Sequence, residues 1–435
     1  MAFQLNTKQL QAFQLLNDGK NIFITGSAGT GKSYIIKKFF EEFCKKYNLA
    51  HRNSSIVKTS TTGCSAVLIG GTTLHSYLGI GTGEKSAIEM IRFIRMNKSL
   101  KDRWIELKVL IIDEISMMDA DLFDKLEEVS RRIRKIDKKF GGIQLVLSGD
   151  FYQLPFIQNK QKTKRFCFQS MIWNVIIDKT VNLTKIIRQD NEDFQRVLSK
   201  IRVGIVDEDV NEILKSRVNV KLEKKNGIIP TKLYSRRNDV DEINQKKIKK
   251  LIDKGNEIIT SEAITSINKA LRSKADLEKY LDRIFKSSQF SKNFKCTIGS
   301  QVMTLVNDKK YNFINGSRGV IKSYNKLKEE FEIQLLDGKI VYVQKHVWEY
   351  PISDTRTITI KQFPLKLAWA ITIHKSQGMT IDYLETSIGS SIFEYHQVYV
   401  VLSRAKSLEG LKIRTYDPSK IKVNPIVTEY YKNLK

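Results

Sequence analysis

At 435 residues the chain can hold about two or three domains with cores of their own, and with 41% hydrophobic residues and no long apolar run it lacks a helical membrane span. A formal charge of +27 argues for a polyanionic partner, because each Lys or Arg that meets a phosphate releases counterions. The competing explanation is a lysine richness that runs through the whole sequence, and charge alone does not separate DNA from RNA. The four cysteines, Cys44, Cys64, Cys167 and Cys296, are scattered without a C-x-x-C pair, which argues against a zinc site and for a reducing compartment. Met1-Ala2-Phe3-Gln4-Leu5 lacks the zones of a signal peptide and no targeting signal is seen, so an intracellular protein is expected, in the nucleus or the cytoplasm.

The first element is a capped amphipathic helix from Leu5, with Asn6 or Thr7 as N-cap and Leu10, Phe13 and Leu16 on its core face. Gln9 lies off that stripe and on composition alone is a surface residue. Ile22-Phe23-Ile24 then reads as a buried strand, followed by Gly26-Ser27-Ala28-Gly29-Thr30-Gly31-Lys32-Ser33 and a helix over Tyr34–Phe40. Strand, G-x-x-x-x-G-K-[ST] turn and helix N-terminus form a phosphate-binding loop. Its glycines let backbone N–H groups point at a polyphosphate, and the helix dipole adds positive potential. Lys32 would reach the β/γ-phosphates and Ser33 would hold Mg²⁺.

A second strand, Ile56-Val57-Lys58-Thr59, ends in Ser60-Thr61-Thr62-Gly63, and Gly70-Gly71-Thr72-Thr73-Leu74-His75-Ser76 follows. Hydroxyls and glycines at a strand's carboxyl end suit contacts to phosphates, and equally suit an ordinary polar loop. Residues 79–105 read as a small basic helical insertion. Val109-Leu110-Ile111-Ile112-Asp113-Glu114 is a buried strand ending in two carboxylates, one suited to hold Mg²⁺ opposite Ser33, the other to orient or deprotonate an attacking water. Asp119 caps a helix with Leu122, Phe123, Leu126, Val129 and Ile133 on one face, leaving Arg131, Arg132 and Arg134 as solvated charge. After Phe140-Gly141-Gly142 comes a third strand, Ile143–Leu147, leading to Gly149-Asp150-Phe151-Tyr152-Gln153-Leu154-Pro155, where Gln153 is suited to sense a γ-phosphate. The alternation predicts a parallel sheet built like a RecA core.

A second domain is expected from about residue 190, with helix to about 217, a first strand at Thr231–Tyr234 and surface helices through 221–295. Period-two alternation around the hairpin signal Asp337-Gly338 predicts an antiparallel β insert over about 306–356. The α/β pattern is expected to return at Leu365-Lys366-Leu367-Ala368-Trp369-Ala370 and to end with Val398-Tyr399-Val400-Val401-Leu402-Ser403-Arg404-Ala405.

Several stretches are family-specific: Thr59–Gly63 with Gly70–Ser76, Asp124–Glu128 running to Gln144, Gly149–Pro155, Ile314-Asn315-Gly316-Ser317-Arg318-Gly319, Ile373-His374-Lys375-Ser376-Gln377-Gly378-Met379-Thr380, and Tyr399–Ala405. Together they resemble the PIF-type DNA helicases of superfamily 1B, relatives of the RecD-like enzymes, over nearly the whole chain. The resemblance implies an α/β P-loop NTPase of two RecA-like parallel-sheet domains, 1–189 and 190–435, with a helical wedge at about 79–105 and an SH3-like β insert at about 306–356. It implies ATP and Mg²⁺ as cofactors. Gln9 would contact adenine, and Gly26, Ser27, Ala28, Gly29, Thr30, Gly31, Lys32, Ser33 and Gly378 would bind the nucleotide. Ser33 and Asp113 would hold the metal, and Glu114 would be the base. Gln153 would couple the γ-phosphate to motion, and Arg188 and Arg404 would be arginine fingers from the second domain. Thr59, Thr62, Gly63, His75, His374, Lys375, Ser376 and Gln377 would meet single-stranded DNA, although His75 and His374 are as readily explained by hydrogen bonds within their loops.

The partners implied are single-stranded and tailed duplex DNA, with no membrane and a monomeric protein, and the direction implied is 5′→3′. Phe156, Lys139 and the pair Arg236-Arg237 depart from the family pattern, the last at a DNA-contact position. Two other readings stay open. One is a DNA translocase that remodels protein–DNA complexes and unwinds poorly; the other is a single-strand-binding module that uses nucleotide only as a latch.

Overall fold

The computed structural model describes residues 5–50, 54–156, 165–189, 191–268, 274–308, 310, 312–353 and 356–434. The chain divides into two compact units, Met1–Arg188 with Ile352–Asp354 and Asn424–Lys435, and Gln189–Pro351 with Thr355–Val423.

In the first unit α1 (Thr7–Asn17) leads to β1 (Ile22–Gly26), and the loop after β1 opens α2 (Lys32–Lys46). Then come β2 (Ile56–Ser60), α3 (Gly63–Leu68), β3 (Thr72–Thr73) and α4 (Leu74–Leu78). A helical pair, α5 (Ala87–Met96) and α6 (Lys98–Glu106), occupies the expected insertion and precedes β4 (Val109–Asp113). α7 (Ala120–Arg134), β5 (Gln144–Ser148), α8 (Trp173–Ile176) and β6 (Lys179–Leu183) complete the alternation.

The six strands form one sheet in the order β3-β2-β4-β5-β1-β6, each neighbouring pair parallel. Parallel strands joined by helical crossovers are covered on both faces, so their sequences read as continuous apolar runs. Ile22–Ile24, Val109–Ile112 and Leu145–Leu147 are all buried. Because every strand runs the same way, every carboxyl end lies at one edge, which gathers the loop after β1, the acidic pair after β4 and the polar tips of β2, β5 and β6.

The turn Phe140-Gly141-Gly142 has its own logic. All three residues have positive φ, at 49°, 59° and 78°, and a Cβ on Gly141 would stand 2.7 Å from the Ser130 carbonyl oxygen. Arg134 closes this corner: its Nε donates to the Gly141 carbonyl at 2.6 Å, and its Nη1 donates to those of Trp104 and Leu107 at 2.6 and 2.7 Å. The solvated charge expected of Arg134 is instead a clamp joining α7, the glycine turn and the end of α6.

The second unit begins with α9 (Glu192–Arg202), α10 (Glu208–Lys215), β7 (Thr231–Tyr234) and α11 (Arg237–Ile252). Next are β8 (Ile259–Glu262), β9 (Ile264–Ile267), α12 (Lys274–Ser287), β10 (Asn293–Cys296) and β11 (Gln301–Thr304). β12 (Arg318–Asn325), β13 (Glu330–Leu335), β14 (Ile340–Gln344), β15 (His346–Ser353), β16 (Arg356–Gln362) and β17 (Leu365–Leu367) follow. β18 (Ala370–Thr372), α13 (Ile373–Ser376), β19 (Leu384–Ile388), α14 (Gln397–Leu402) and β20 (Leu411–Tyr416) close it. The parallel sheet of this unit is β18-β7-β19-β20.

An antiparallel module interrupts that sheet between β7 and β18, with a five-stranded sheet ordered β14-β13-β12-β11-β17. The Asp337-Gly338 hairpin forms as expected, Gly338 at φ 91° and the Leu335 N–H donating to Lys339 at 2.7 Å. The module is wider than 306–356: β8, β9 and β10 lie in the stretch expected to be helical, and Leu365–Leu367 pairs with β11 instead of joining the parallel sheet. The apolar run at 398–402 is helical, in α14. The last helix, α15 (Pro425–Lys432), belongs to the first unit and not to a domain running from 190 to 435.

Candidate functional site

The loop after β1 is built around three glycines whose φ angles, 140°, 82° and 88° at Gly26, Gly29 and Gly31, side chains rarely adopt. Space forbids replacement as well. A Cβ on Gly26 would stand 2.3 Å from the Leu183 carbonyl oxygen, one on Gly29 2.4 Å from the Arg188 Cβ, and one on Gly31 2.6 Å from the Gln9 Nε2. The backbone is thus wrapped tightly where β6 passes it, with Ala28 and Thr30 buried and the Thr30 hydroxyl donating to the Ser27 carbonyl at 2.9 Å. Lys32 and Ser33 open α2, and the Lys32 ammonium donates to the Gly26 and Ser27 carbonyls at 2.7 and 3.0 Å.

Asp113 ends β4, and its Oδ2 accepts from the Ser33 hydroxyl at 3.4 Å. Burial pushes the Asp113 carboxyl above its ordinary range, and the Lys32 ammonium and the Ser33 hydroxyl pull it back. A hydroxyl and a carboxylate form the hard, all-oxygen pair that suits Mg²⁺ beside phosphate oxygens. Glu114 follows in a left-handed conformation, φ 56° and ψ 45°, uncommon for a residue with a Cβ. The tip of β2 holds this corner: the Ser60 hydroxyl donates to the Asp113 carbonyl at 3.1 Å and the Thr61 hydroxyl to that of Glu114 at 2.9 Å.

Gln153, buried at the tip of β5, donates its N–H to the Asp150 carbonyl at 2.8 Å. Gln9 is a buried residue, not the surface one its composition suggested. It forms a capping box with Asn6, and its Nε2 donates to the Thr30 carbonyl at 3.1 Å, so it braces the loop from α1.

Arg188 departs from expectation. It belongs to the first unit, where the Ile187 N–H donates to the Gly29 carbonyl at 2.8 Å and the missing Cβ of Gly29 admits its side chain. The short link after β6 lays it against the phosphate loop of its own unit, so it is not contributed by a second domain. Arg404 does lie in the second unit, 1% exposed. Its Nε donates to the Val400 carbonyl at 3.0 Å, Nη2 to the Ser403 hydroxyl at 2.8 Å, and Nη1 to the Ser376 and Met379 carbonyls at 3.4 Å. Arg404 therefore ties α14 to the loop carrying Gln377 and the exposed, positive-φ Gly378.

Among the residues expected on DNA, Thr62, Gly63, His75, His374 and Lys375 are partly exposed. Thr62 caps α3, accepting from the Ser65 N–H, and His75 sits in α4. Thr59 is corrected: it is fully buried, and its hydroxyl donates to the Ile111 carbonyl at 2.6 Å, so it joins β2 to β4 inside the sheet. Ser376 is corrected likewise, buried with its hydroxyl turned back onto the Ile373 carbonyl at 2.7 Å, and Gln377 is only 5% exposed.

The matches to known proteins follow this layout. The PIF1-like helicase family model matches residues 4–212. The chain is 32% identical to the crystal structure of the Pif1 helicase from Candida albicans, with a TM-score of 0.79 and 100% of both chains covered. The chain belongs to the PIF1-like helicase family. Another family member, the ATP-dependent DNA helicase PIF1 of Danio rerio, is 37% identical over 437 residues; this chain spans 65% of its length. The Bacteroides Pif1 helicase in complex with ADP-AlF3 and single-stranded DNA is 26% identical, with a TM-score of 0.66 over 99% of this chain and 97% of that one.

One group escaped the sequence reading of this PIF1-like chain: the Tyr431 hydroxyl, which meets Asp150, Phe151 and Thr25. Adjacent tyrosines near a carboxyl terminus carry no motif, and Asp150 lies 281 residues away.

Proposed function

We propose that this chain is an ATP-dependent DNA helicase, which hydrolyses MgATP and uses the cycle to move 5′→3′ along a single strand and part a duplex. The observation that carries the reading is the convergence, at one sheet edge, of the phosphate loop with Lys32, the Ser33–Asp113 pair at 3.4 Å, and a Glu114 held at φ 56°. Phosphoryl transfer asks for positioning and charge stabilisation more than for covalent chemistry. The loop's N–H groups and Lys32 would hold the β/γ-phosphates, and Glu114 would take the proton of the attacking water. Mg²⁺, held by Ser33 and Asp113, would neutralise charge on the phosphate oxygens. Arg188, on the loop's own unit, is assigned the charge that develops in the transition state, and Gln153 the sensing of the γ-phosphate.

Three observations support DNA as the partner: the charge of +27, the partly exposed Thr62, Gly63, His75, His374 and Lys375, and relatives that include an ATP-dependent DNA helicase and a Pif1 helicase in complex with single-stranded DNA. The hydroxyls of Ser60 and Thr61, which hold the carbonyls of Asp113 and Glu114, adjoin Thr62-Gly63, so a strand resting there would bear directly on the carboxylates.

The test is ATP hydrolysis with and without single-stranded DNA, in the wild type and in Glu114→Gln. Stimulation by DNA, and a loss of about a hundredfold or more in the variant, are expected. A rate indifferent to DNA, or to the variant, overturns the motor. Duplexes with a 5′ or a 3′ tail then read direction: unwinding of only the 3′-tailed substrate refutes 5′→3′, and movement without unwinding points to a remodelling translocase.

A further inference from the structure

Tyr431 lies in α15, at the far end of the chain, yet its hydroxyl lies among groups of the nucleotide site. The hydroxyls of Tyr431 and Thr25 are 2.6 Å apart, and Thr25 is the residue before Gly26, where the phosphate loop begins. The Phe151 N–H donates to the Tyr431 oxygen at 3.2 Å, and the Tyr431 hydroxyl donates to Asp150 Oδ1 at 3.3 Å. A phenol has one proton and two lone pairs. One assignment satisfies all three contacts: Thr25 and Phe151 donate to Tyr431, and Tyr431 donates to Asp150. The ring of Tyr431 also stacks on Tyr152 at 4.7 Å between centroids, 21° from parallel.

Asp150, Phe151 and Tyr152 are the three residues before Gln153, and the fastening continues to it. Asp150 Oδ1 accepts the Tyr152 N–H at 3.1 Å, and the Asp150 carbonyl accepts that of Gln153 at 2.8 Å. Thr25 and Asp150 are fully buried. One hydroxyl thus spans β1, at the root of the phosphate loop, and the β5 tip that carries Gln153. β1 and β5 are neighbours in the sheet, so their ladder fixes the strands, but its register stops at the Ile24–Ser148 pair, with one more bond from the Gly149 N–H to the Ile24 carbonyl at 3.2 Å, and the segment from Asp150 to Gln153 lies beyond it.

We propose that Tyr431 is a positioning residue for nucleotide hydrolysis: through its hydroxyl it sets the Gln153 tip against the phosphate loop. This rests on the reading of that loop as an ATPase site. Tyr431 touches neither phosphate nor water in this account; it acts through Asp150 and Thr25. Misplacing a reacting group slows turnover more than it weakens binding of the nucleotide, most of whose contacts are elsewhere.

The experiment compares the 435-residue chain with Tyr431→Phe, which deletes the hydroxyl but keeps the stacked ring, and Tyr430→Phe, the same deletion one residue away. ATP turnover is measured at saturating single-stranded DNA, per nucleotide-binding site titrated with a fluorescent ATP analogue, together with KM and the analogue's Kd. Tyr431→Phe is expected to lower kcat about five- to tenfold with KM and Kd within about twofold of wild type, while Tyr430→Phe stays near wild type. Thr25→Val, which removes the other end of the bridge, should lower kcat in the same way, and adding it to Tyr431→Phe should cost little more. Unchanged turnover per titrated site in Tyr431→Phe overturns the proposal. So does an equal loss in Tyr430→Phe, or a loss that appears only as fewer titratable sites, which marks a purely structural residue. A wild-type protein that binds the analogue but does not turn over ATP in any condition refutes the ATPase reading itself, and with it this proposal; an active wild type with an indifferent Tyr431→Phe refutes the positioning role alone.

Discussion

Asp113 sits 5% exposed at the end of β4, and burial raises its carboxyl above the ordinary range. A raised value means that the folded state holds the proton more tightly than the unfolded chain. Stability from this group is therefore greatest below the unfolded value, near pH 4, and falls as pH climbs through the raised one. At neutral pH the ionised, buried carboxylate is a burden that function imposes, relieved in part by Lys32 and Ser33. Asp113→Asn should abolish Mg²⁺-dependent hydrolysis yet raise stability by about 1 kcal/mol, or about 2–4 °C in Tm, in metal-free buffer. The gain should be larger at pH 8 than at pH 5; scanning calorimetry at both values checks the sign, and a gain that shrinks with pH contradicts it. The same residue shows what a sequence discloses. An apolar run ending in Asp-Glu marks the strand tip, because a covered parallel strand must be apolar and its ligand-binding end polar. Which hydroxyls hold that tip is set by sheet order, and neither Ser60 nor Thr61 announces it.

Among elements, those whose signal is local were legible: α1 with its Asn6 cap, the glycine loop into α2, β4, and the Asp337-Gly338 hairpin. Short apolar runs fit more than one element. Val398–Leu402, whose pattern names neither helix nor strand, is fully buried in the helix α14, because burial on every side erases the periodicity that separates the two. Leu365–Leu367 was expected in the parallel sheet and instead closes the antiparallel one by pairing with β11, a partner some sixty residues back that no local pattern names. Arg134 was similarly hidden: three arginines near the end of α7 look alike, and only contact with Gly141, Trp104 and Leu107 distinguishes this one. Its guanidinium donates to carbonyls of two separate segments, the glycine turn and the end of α6, a fork that an ammonium cannot reproduce. Arg134→Lys should therefore destabilise the first unit by about 2 kcal/mol, since charge-assisted hydrogen bonds contribute about 1.5–3 kcal/mol each and Lys keeps only part of them. Urea unfolding reads this, and a midpoint unchanged within error would show the clamp to be idle. Arg132, paired with Glu128 at 2.9 Å on the exposed face of the same helix, is the matched comparison, where Arg132→Lys should be nearly silent.

Over the whole molecule, the order of motifs along the chain disclosed the family, whereas charge only suggested a partner. A surplus of +27 fits either a surface that neutralises phosphates or a composition rich in lysine throughout, and the two differ in one measurable quantity. Counterions released on binding make log K fall linearly with log salt, by about 0.7 for each single-strand phosphate neutralised. A strand gripped at about five or more phosphates should give a slope of about −3.5 or steeper for a labelled oligonucleotide titrated between about 50 and 200 mM salt, while ATP binding, held mainly by the N–H groups of the loop, should change far less over that range. Net charge without a tracked strand predicts something else: weak, shallow binding with a slope near −1, since diffuse attraction screened over about 10 Å releases few condensed ions. A shallow slope would assign the surplus to composition and leave DNA recognition to the partly exposed Thr62, Gly63, His75, His374 and Lys375 alone. A steep slope would require cations beyond that set to lie along the strand, and single Lys→Ala replacements that each reduce the slope by about 0.7 would identify them one by one.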